Sequence, residues 1–264
     1  MTGLVEKQRE HFNGIAATYY AARRGANHLA LKDLIWAEFL RDKAVLRRPG
    51  LTVLDAMCGH ADAHDLLSRH LGIDVAYSGF DYSDEVVARV QRENPDLEIT
   101  QADATTFRPT RQYDLVTLIG GLHHVHDAAT EALTRLATAV RPGGHFLSFE
   151  PTHGNSVFGA VRNAVYRRNA LFDADTEQGF STRSLFAMFE RAGLERVDVL
   201  YPGLLSYVLY YNPDAFPKLN VGGPGAVRRL FALERPFMRG ALARTLSFAT
   251  LSLWRKPEPE RPAE

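Results

Sequence analysis

Histidine and aspartate side chains form a short run in the middle of the sequence, where His123 and His124 are followed by His126 and Asp127. Histidine exchanges a proton readily near neutral pH, so this run could supply a general base. We expect His123 or His124 to be that base. The alternative is a structural contact for one ring and a solvent-exposed position for another. The four side chains could also hold a metal ion, but such residues on a loop commonly bind none, and we expect no metal site.

Two further acidic residues end apolar runs and lie 26 positions apart. Val53-Leu54-Asp55 leads into a turn of small residues around Gly59, and Tyr77-Ser78-Gly79-Phe80 leads into Asp81. The turn lets backbone approach a ligand, and the second acid can accept hydrogen bonds from ribose hydroxyls. This spacing is typical of a nucleotide-binding βαβ unit and predicts a ligand with an adenosine half.

Predicted strands and helices alternate along the chain around these residues. Predicted strands cover 51–55, 75–80, 97–100, 113–119, 145–150, 194–201 and 248–254. Predicted helices cover 61–71, a segment that starts at Ser83, 127–140 and 182–192. The alternation predicts an α/β fold, a Rossmann-like, seven-stranded, mostly parallel sheet with helices on both faces. Right-handed crossovers then bring the strand ends, and the ligand, to one edge.

The same pattern divides the chain into regions. Residues 1–50 are predicted to be a helical cap or lid, with helices over 4–22 and 28–46, and a further inserted helix is expected over 155–170. The core is expected to comprise 51–201 and 245–256. Residues 202–244 break the alternation and are interpreted as an insertion that covers the acceptor site or forms a dimer contact. The proline-rich tail, 257–264, is predicted to be disordered.

Composition narrows the class of protein. The 264 residues are 45% hydrophobic, which is enough for a sizeable core. Lys+Arg and Asp+Glu are equal at 31 each, which argues against a generic nucleic-acid binder. The single cysteine excludes an intrachain disulfide framework. Since we find neither a signal peptide nor a transmembrane segment, we expect a cytoplasmic location.

Five segments, in this order, resemble the class I S-adenosylmethionine-dependent methyltransferases that act on small molecules (the type 11-like family). They are Val53–Ala63, Phe80–Ser83, Gln101–Ala104, Tyr113–Val125 and Leu136–Glu150. The resemblance extends over residues 10–201 and the last strand. It implies that the cofactor is S-adenosyl-L-methionine and that the acceptor is a small molecule.

The resemblance also implies roles for single residues near the methionine half of the cofactor. Asp55 would anchor the turn, and Gly59 would let the backbone approach the ligand. Ile119 and Gly120 would offer backbone carbonyls to its ammonium group. An N-terminal segment would close over the site with Tyr20, together with Phe12 and Tyr19.

Near the adenosine half, Asp81 resembles the acid that holds the ribose hydroxyls. Tyr82 would pack on the adenine ring. Asp103 would accept a hydrogen bond from the adenine amino group, with the backbone of Ala104 beside it.

The turn after the first strand departs from the family pattern, which reads acid-x-Gly-x-Gly-x-Gly. Here Met57 and Ala61 replace two of the glycines. A positive φ angle at Met57 would cost free energy, because a side chain disfavours that conformation. The cofactor could still bind if the Met57 side chain turns inward to the core.

The insertion is rich in aromatic residues over 204–211, which include Tyr207 and Tyr211, and in arginines. The arginines are Arg228, Arg229, Arg235, Arg239 and Arg244, with Arg162, Arg167 and Arg168 earlier in the chain. This pattern predicts a partly apolar acceptor that carries a carboxylate or phosphate. A homodimer interface, a solvated basic face and docking on an anionic membrane or carrier protein are alternatives.

We therefore expect O-methylation of a small molecule with a histidine base. N- or C-methylation is the alternative within the same chemistry. Two further hypotheses are use of the cofactor without net methyl transfer and a non-catalytic scaffold that has lost the cofactor.

Overall fold

The computed structural model describes residues 23–157, 159–160, 179–213 and 217–259. The strands are β1 (Thr52–Ala56), β2 (Ala76–Asp81), β3 (Glu98–Gln101), β4 (Tyr113–Ile119), β5 (Val140–His153), β6 (Phe180–Ser181), β7 (Glu195–Leu200) and β8 (Ala249–Arg255). The helices are α1 (Ala26–Leu40), α2 (Asp62–Leu71), α3 (Asp84–Glu93), α4 (Ala129–Ala139), α5 (Thr182–Arg191), α6 (Gly223–Glu234) and α7 (Ala241–Leu246). Each predicted strand is present, and β5 is longer than expected at both ends.

Seven strands form one sheet in the order β3-β2-β1-β4-β5-β8-β7, and the short β6 pairs with β5. The neighbours from β3 to β5 are parallel, whereas β8 runs antiparallel between β5 and β7. This confirms the predicted Rossmann-like, mostly parallel sheet. Because β1, β2, β4 and β5 are parallel, their carboxyl ends meet at one edge.

Alternate side chains of each strand point to opposite faces of the sheet and build two separate cores. In β5, Phe146 packs with the cluster that includes α4 and α5, whereas Leu147 packs with the cluster that includes α1, α2 and α3. Val53 and Leu54 divide in the same way in β1. The sheet is thus covered on both faces, as buried parallel strands require.

Helix α1 is part of this packed structure. Ile35, Trp36 and Phe39 are fully buried, and they belong to the same core as Leu67 of α2. The predicted N-terminal cap thus contains a helix that covers the sheet. The part of the predicted cap before residue 23, which includes Tyr20, lies outside the described residues.

The insertion packs on α1. It begins with a π-helical turn over Tyr207–Tyr211 and continues into α6, which buries Val227 and Phe231. Asn27 donates a hydrogen bond from Nδ2 to Oδ1 of Asn220 at 2.6 Å, which ties the loop before α6 to α1. None of the helices in the described segments combines the length and apolarity needed to cross a bilayer.

Most of the predicted helix over 155–170 falls outside the described residues, as do Arg162, Arg167 and Arg168. The end of the predicted tail, 260–264, lies outside them too.

Candidate active site

The carboxyl ends of the parallel strands line two adjoining cavities. Both are bordered by Met57, Gly59, His60, Ile119, Gly120 and His124. The first, here named the β2 cavity, extends past the end of β2 to Asp81 and Tyr82. The second, named the cap cavity, extends to His123, Glu150 and the aromatic side chains of the insertion. The two cavities form one cleft along the sheet edge.

The turn between β1 and α2 adopts left-handed backbone at three positions. The φ angles are +53° at Met57, +52° at Gly59 and +58° at Ala61. A side chain in this region costs about 1–2 kcal/mol, so Met57 and Ala61 are strained where the family has glycine. Nothing lies within 4 Å of the position that a Cβ on Gly59 would take. The backbone at Gly59 is therefore open to a ligand.

The Met57 side chain packs over Gly121. A Cβ atom added to Gly121 would lie 2.9 Å from both Cβ and Sδ of Met57, so only glycine fits there. Met57 also packs against the core that contains α4. These contacts agree with the expected inward orientation, although Met57 still borders both cavities.

Asp55 is an internal anchor at the end of β1. Its carboxylate accepts hydrogen bonds from Oη of Tyr77 at 2.6 Å and from Oγ1 of Thr117 at 2.5 Å. Burial raises the pKa of Asp55 to about 7, although the two hydrogen bonds oppose that shift. Asp55 is not among the residues that line either cavity. Its geometry therefore fits the anchoring part of its predicted role.

Asp81 joins the turn to the start of α3. Its carboxylate accepts hydrogen bonds from the backbone N–H groups of Gly59 and Ser83, each at 3.0 Å. Burial raises its pKa, and these donors oppose the increase. Since a carboxylate has about four lone-pair sites, Asp81 can still accept a further hydrogen bond. Asp81 lines the β2 cavity beside Tyr82, where ribose hydroxyls and an adenine ring would fit.

Asp103 and Ala104 are not among the residues that line either cavity. Both the backbone N–H and Oγ1 of Thr105 donate to Asp103 at 2.8 Å, so this carboxylate stabilises its own loop. Ala104 is buried. The adenine contact assigned to these two residues stays a prediction.

His123 is held by a carboxylate that the sequence analysis did not select. Its Nδ1 lies 3.0 Å from Oε2 of Glu150, which is fully buried at the end of the predicted strand 145–150. Oε1 of Glu150 accepts hydrogen bonds from the backbone N–H groups of Gly121 and Leu122 at 3.0 and 2.9 Å. Burial raises the pKa of Glu150 to about 7. The sequence did contain a signal for Glu150, because this residue is an acid at the end of a predicted strand, as Asp55 and Asp81 are.

His124 and His60 border both cavities. The His124 ring lies against the His123 ring with 4.0 Å between centroids. Burial lowers the pKa of His60 to about 4, so its ring is neutral at physiological pH. The structure thus brings both predicted catalytic histidines to the cleft, and the buried carboxylate of Glu150 orients the ring of His123.

Three basic side chains at the cap cavity were also missed by the sequence analysis. Lys32 forms an ion pair with Asp62, and Arg23 Nη1 donates to the carbonyl of Tyr211 at 3.3 Å. His28 Nδ1 lies 2.6 Å from the same carbonyl. Burial lowers the pKa of His28 to about 3, so the neutral ring carries its hydrogen on Nδ1 and donates it.

The arginines of the insertion are absent from the lining of both cavities. Arg235 pairs with Glu38 at 4.0 Å and Arg239 with Asp198 at 2.5 Å. The prediction that these arginines bind an acidic acceptor therefore gains no support from their positions.

The aromatic residues of the insertion do reach the cavity. Tyr207 and Tyr211 stack with 4.6 Å between ring centroids, and Phe149 meets Tyr211 edge to face at 5.4 Å. All three border the cap cavity. They form an aromatic wall of the cap cavity.

Cys58 and His126, the remaining histidine of the 123–127 run, make packing contacts. Burial raises the pKa of the Cys58 thiol, so it stays protonated and packs in the core. His126 stacks on Phe180 with 5.0 Å between centroids. In the described part of the chain, no group of three or more His, Cys, Asp or Glu side chains could hold a metal ion.

The sequence is similar to those of known methyltransferases. Residues 53–144 match a family described as "Methyltransferase domain". The demethylmenaquinone methyltransferase of Lysinibacillus sphaericus is 25% identical over 170 residues, which cover 57% of this chain and 72% of that protein.

Two solved structures share the fold over almost the whole chain. A methyltransferase of Haloferax volcanii, solved with the activator Trm112, superposes with a TM-score of 0.63 at 19% identity and covers 96% of this chain and 99% of that chain. The DhpI complex with SAM and HEP superposes with a TM-score of 0.59 at 18% identity and covers 97% and 99%.

The cleft has room and polar groups that suit S-adenosylmethionine, because the backbone at Gly59 is open and the Asp81 carboxylate lines the β2 cavity. The strand order, the matched domain and the methyltransferase relatives agree with this fit. The chain thus contains a methyltransferase domain over residues 53–144, and its fold and its relatives are those of S-adenosylmethionine-dependent methyltransferases.

Proposed function

We propose that the enzyme methylates a hydroxyl oxygen of a small, largely apolar acceptor, with His123 as the general base and Glu150 as its positioning residue. The observation that carries this proposal is the buried His123–Glu150 pair on the wall of the cap cavity. A hydroxyl needs a base when it is methylated, whereas a carboxylate does not. The aromatic wall of Phe149, Tyr207 and Tyr211 suits an apolar acceptor body.

The cofactor, when bound, supplies an electrophilic methyl group. We expect Ile119 and Gly120, which border both cavities, to offer backbone carbonyls to its ammonium group, and we expect Asp81 of the β2 cavity to hold the ribose. Glu150 holds Nδ1 of His123 and so sets the orientation of the ring. A proton from the acceptor would be taken at Nε2, the ring nitrogen that Glu150 does not contact. The aromatic wall would exclude water and align the hydroxyl.

C-methylation is the second candidate function. The relatives at 24–25% identity are demethylmenaquinone methyltransferases, and a base that removes a phenolic proton also activates the adjoining ring carbon. The same His123–Glu150 pair would then serve carbon attack.

Labelled product analysis separates these candidates. The enzyme would be incubated with S-adenosylmethionine carrying a ¹³C-methyl group and a panel of phenols, hydroquinones and enols. The carbon chemical shift of the transferred methyl distinguishes oxygen, carbon and nitrogen attachment. An O-methyl signal is expected, and a C-methyl signal alone would replace the first candidate with the second. Product without label would support cofactor use without net methyl transfer.

A further inference from the structure

Exposed apolar side chains are concentrated in the insertion and the segment that follows it. Of the eleven large hydrophobic residues that are exposed in the described part of the chain, seven lie between positions 205 and 246. They are Leu205, Leu219, Val221, Leu233, Phe237, Leu242 and Leu246. Leu233 is 71% exposed, Leu242 65% and Phe237 63%. Single exposed apolar residues need no explanation, but such a concentration indicates an interaction surface.

The same segment is strongly basic. Residues 217–246 contain six basic residues and one acidic residue, Glu234, although the whole chain has a formal net charge of zero. Glu234 faces inward, where it accepts a hydrogen bond from Oγ of Ser206 at 2.5 Å. Arg228, Arg229 and Arg244 form no ion pair with any acidic residue that the structure describes. Within the described part of the chain, the segment therefore has an excess of positive charge beside exposed apolar side chains.

Helix α6 carries both features on its outer side. It buries Val227 and Phe231 toward α1, whereas Arg228, Arg229 and Leu233 are exposed. Positions four residues apart lie above one another on a helix, so Arg229 and Leu233 share one outward stripe. Exposed cations beside exposed apolar side chains suit a membrane interface, because cations contact anionic headgroups and apolar groups enter the acyl boundary.

We propose that residues 217–246, here named the docking segment, bind the surface of an anionic lipid bilayer. The positive charge attracts anionic headgroups, and Leu233 and Phe237 would insert among the acyl chains. A second copy of this chain suits the surface less well, because a two-fold contact would place these basic patches against each other. The proposal does not depend on which atom of the acceptor is methylated.

Sedimentation of the full-length chain with vesicles tests this proposal. The vesicles would be phosphatidylcholine alone and phosphatidylcholine mixed with phosphatidylglycerol. Binding is expected only to the mixed vesicles and should weaken as salt is raised, because salt screens the headgroup charge. Absence of binding, or equal binding to both vesicles, would overturn the proposal.

Two double variants assign the binding to the docking segment. Arg228→Gln with Arg229→Gln should lower the partition coefficient at least about tenfold, since each basic residue near an anionic surface contributes about fivefold. Leu233→Ser with Phe237→Ser should also lower it. The matched controls, Arg108→Gln and Val45→Ser, change exposed residues elsewhere and should bind vesicles as the wild type does.

Folding and association are checked on the same proteins. Thermal unfolding and binding of S-adenosylmethionine should be unchanged in all four variants, because none of these residues lines the cleft. Light scattering after size exclusion gives the oligomeric state. If the wild type is a dimer and the Leu233→Ser, Phe237→Ser variant is a monomer, the surface is an interface with a second copy of the chain. That outcome would overturn the lipid proposal.

Discussion

At the scale of single residues, the Asp81 carboxylate connects two parts of the cofactor cleft. It accepts hydrogen bonds from Gly59 of the turn and from Ser83 at the start of α3. Charge-assisted bonds of this kind contribute about 1.5–3 kcal/mol each. The residue therefore orders the turn, and we propose that it also accepts hydrogen bonds from the ligand.

We predict that Asp81→Ala weakens the binding of S-adenosylmethionine and S-adenosylhomocysteine at least about tenfold. Isothermal titration calorimetry measures both dissociation constants. Asp96→Ala, which removes an exposed acid, is the control and should bind as the wild type does. Unchanged affinity in a folded Asp81→Ala protein would contradict the assignment of Asp81 to the ribose.

The two neighbouring histidines differ in what holds them. We predict that His123→Ala lowers kcat by about 10²–10⁴-fold, the usual contribution of a general base, and that His124→Ala lowers it less. Steady-state kinetics of both variants against one acceptor gives the comparison. A larger loss in His124→Ala would assign the base to His124 instead.

Glu150 should affect how activity depends on pH. The raised pKa of Glu150, about 7, means that its negative charge develops as the pH rises through neutrality. In the proposed mechanism, that charge would stabilise a protonated His123 during proton transfer. We expect Glu150→Gln to lower kcat more than it changes KM and to shift the acidic limb of the rate profile. A profile of unchanged shape would indicate a purely structural role.

At the scale of elements, the turn between β1 and α2 combines strain with packing. Ala61 is buried and holds a φ angle of +58° immediately before α2. Met57 is also strained, but it gains contacts with Gly121 that glycine would lose. The two substitutions in the family pattern therefore have different energetic consequences.

We predict that Ala61→Gly raises the free energy of unfolding by up to about 1 kcal/mol, because relief of left-handed strain exceeds the entropy that glycine loses on folding. Met57→Gly should be destabilising, since it removes packing as well as strain. Urea denaturation measures both. A loss of stability in Ala61→Gly would show that the methyl group contributes more than the strain costs.

At the scale of the whole molecule, two fully buried carboxyl groups couple stability to pH. Burial raises the pKa of both Asp55 and Glu150 to about 7, from ordinary values of 3.8 and 4.5. The folded protein therefore binds more protons than the unfolded chain at these groups between about pH 4 and pH 7. Their contribution to stability is present below pH 4 and is lost as the pH rises through 7.

We predict that the free energy of unfolding of Glu150→Gln, taken relative to the wild type, is higher at about pH 8 than at about pH 5, because glutamine has no charge to bury. The quantity to measure is the difference in unfolding free energy between variant and wild type at each pH. Glu93→Gln replaces an exposed acid and should show no such change. A difference that stays constant with pH would contradict the raised pKa.

Local pattern in the sequence predicted most of the fold. Apolar runs that end in an acid or glycine located β1, β2 and β4, because a buried parallel strand needs continuous apolar residues. Ser83 was expected to start a helix, and its Oγ accepts a hydrogen bond from the backbone N–H of Val86 at 3.2 Å. These features depend on neighbouring residues alone. The order of the motifs was then sufficient to indicate the family.

Local patterns were enough to locate the strand ends, and hence the edge where Asp81, Ile119 and the histidines gather. The folded structure was needed to show that Glu150 holds His123, that Met57 packs over Gly121 and that the insertion arginines do not line the cleft. Those contacts join residues far apart in the chain, and they arise from the strand order and from the packing of the insertion on α1. Periodicity predicts which side chains are buried, but not which partners they contact.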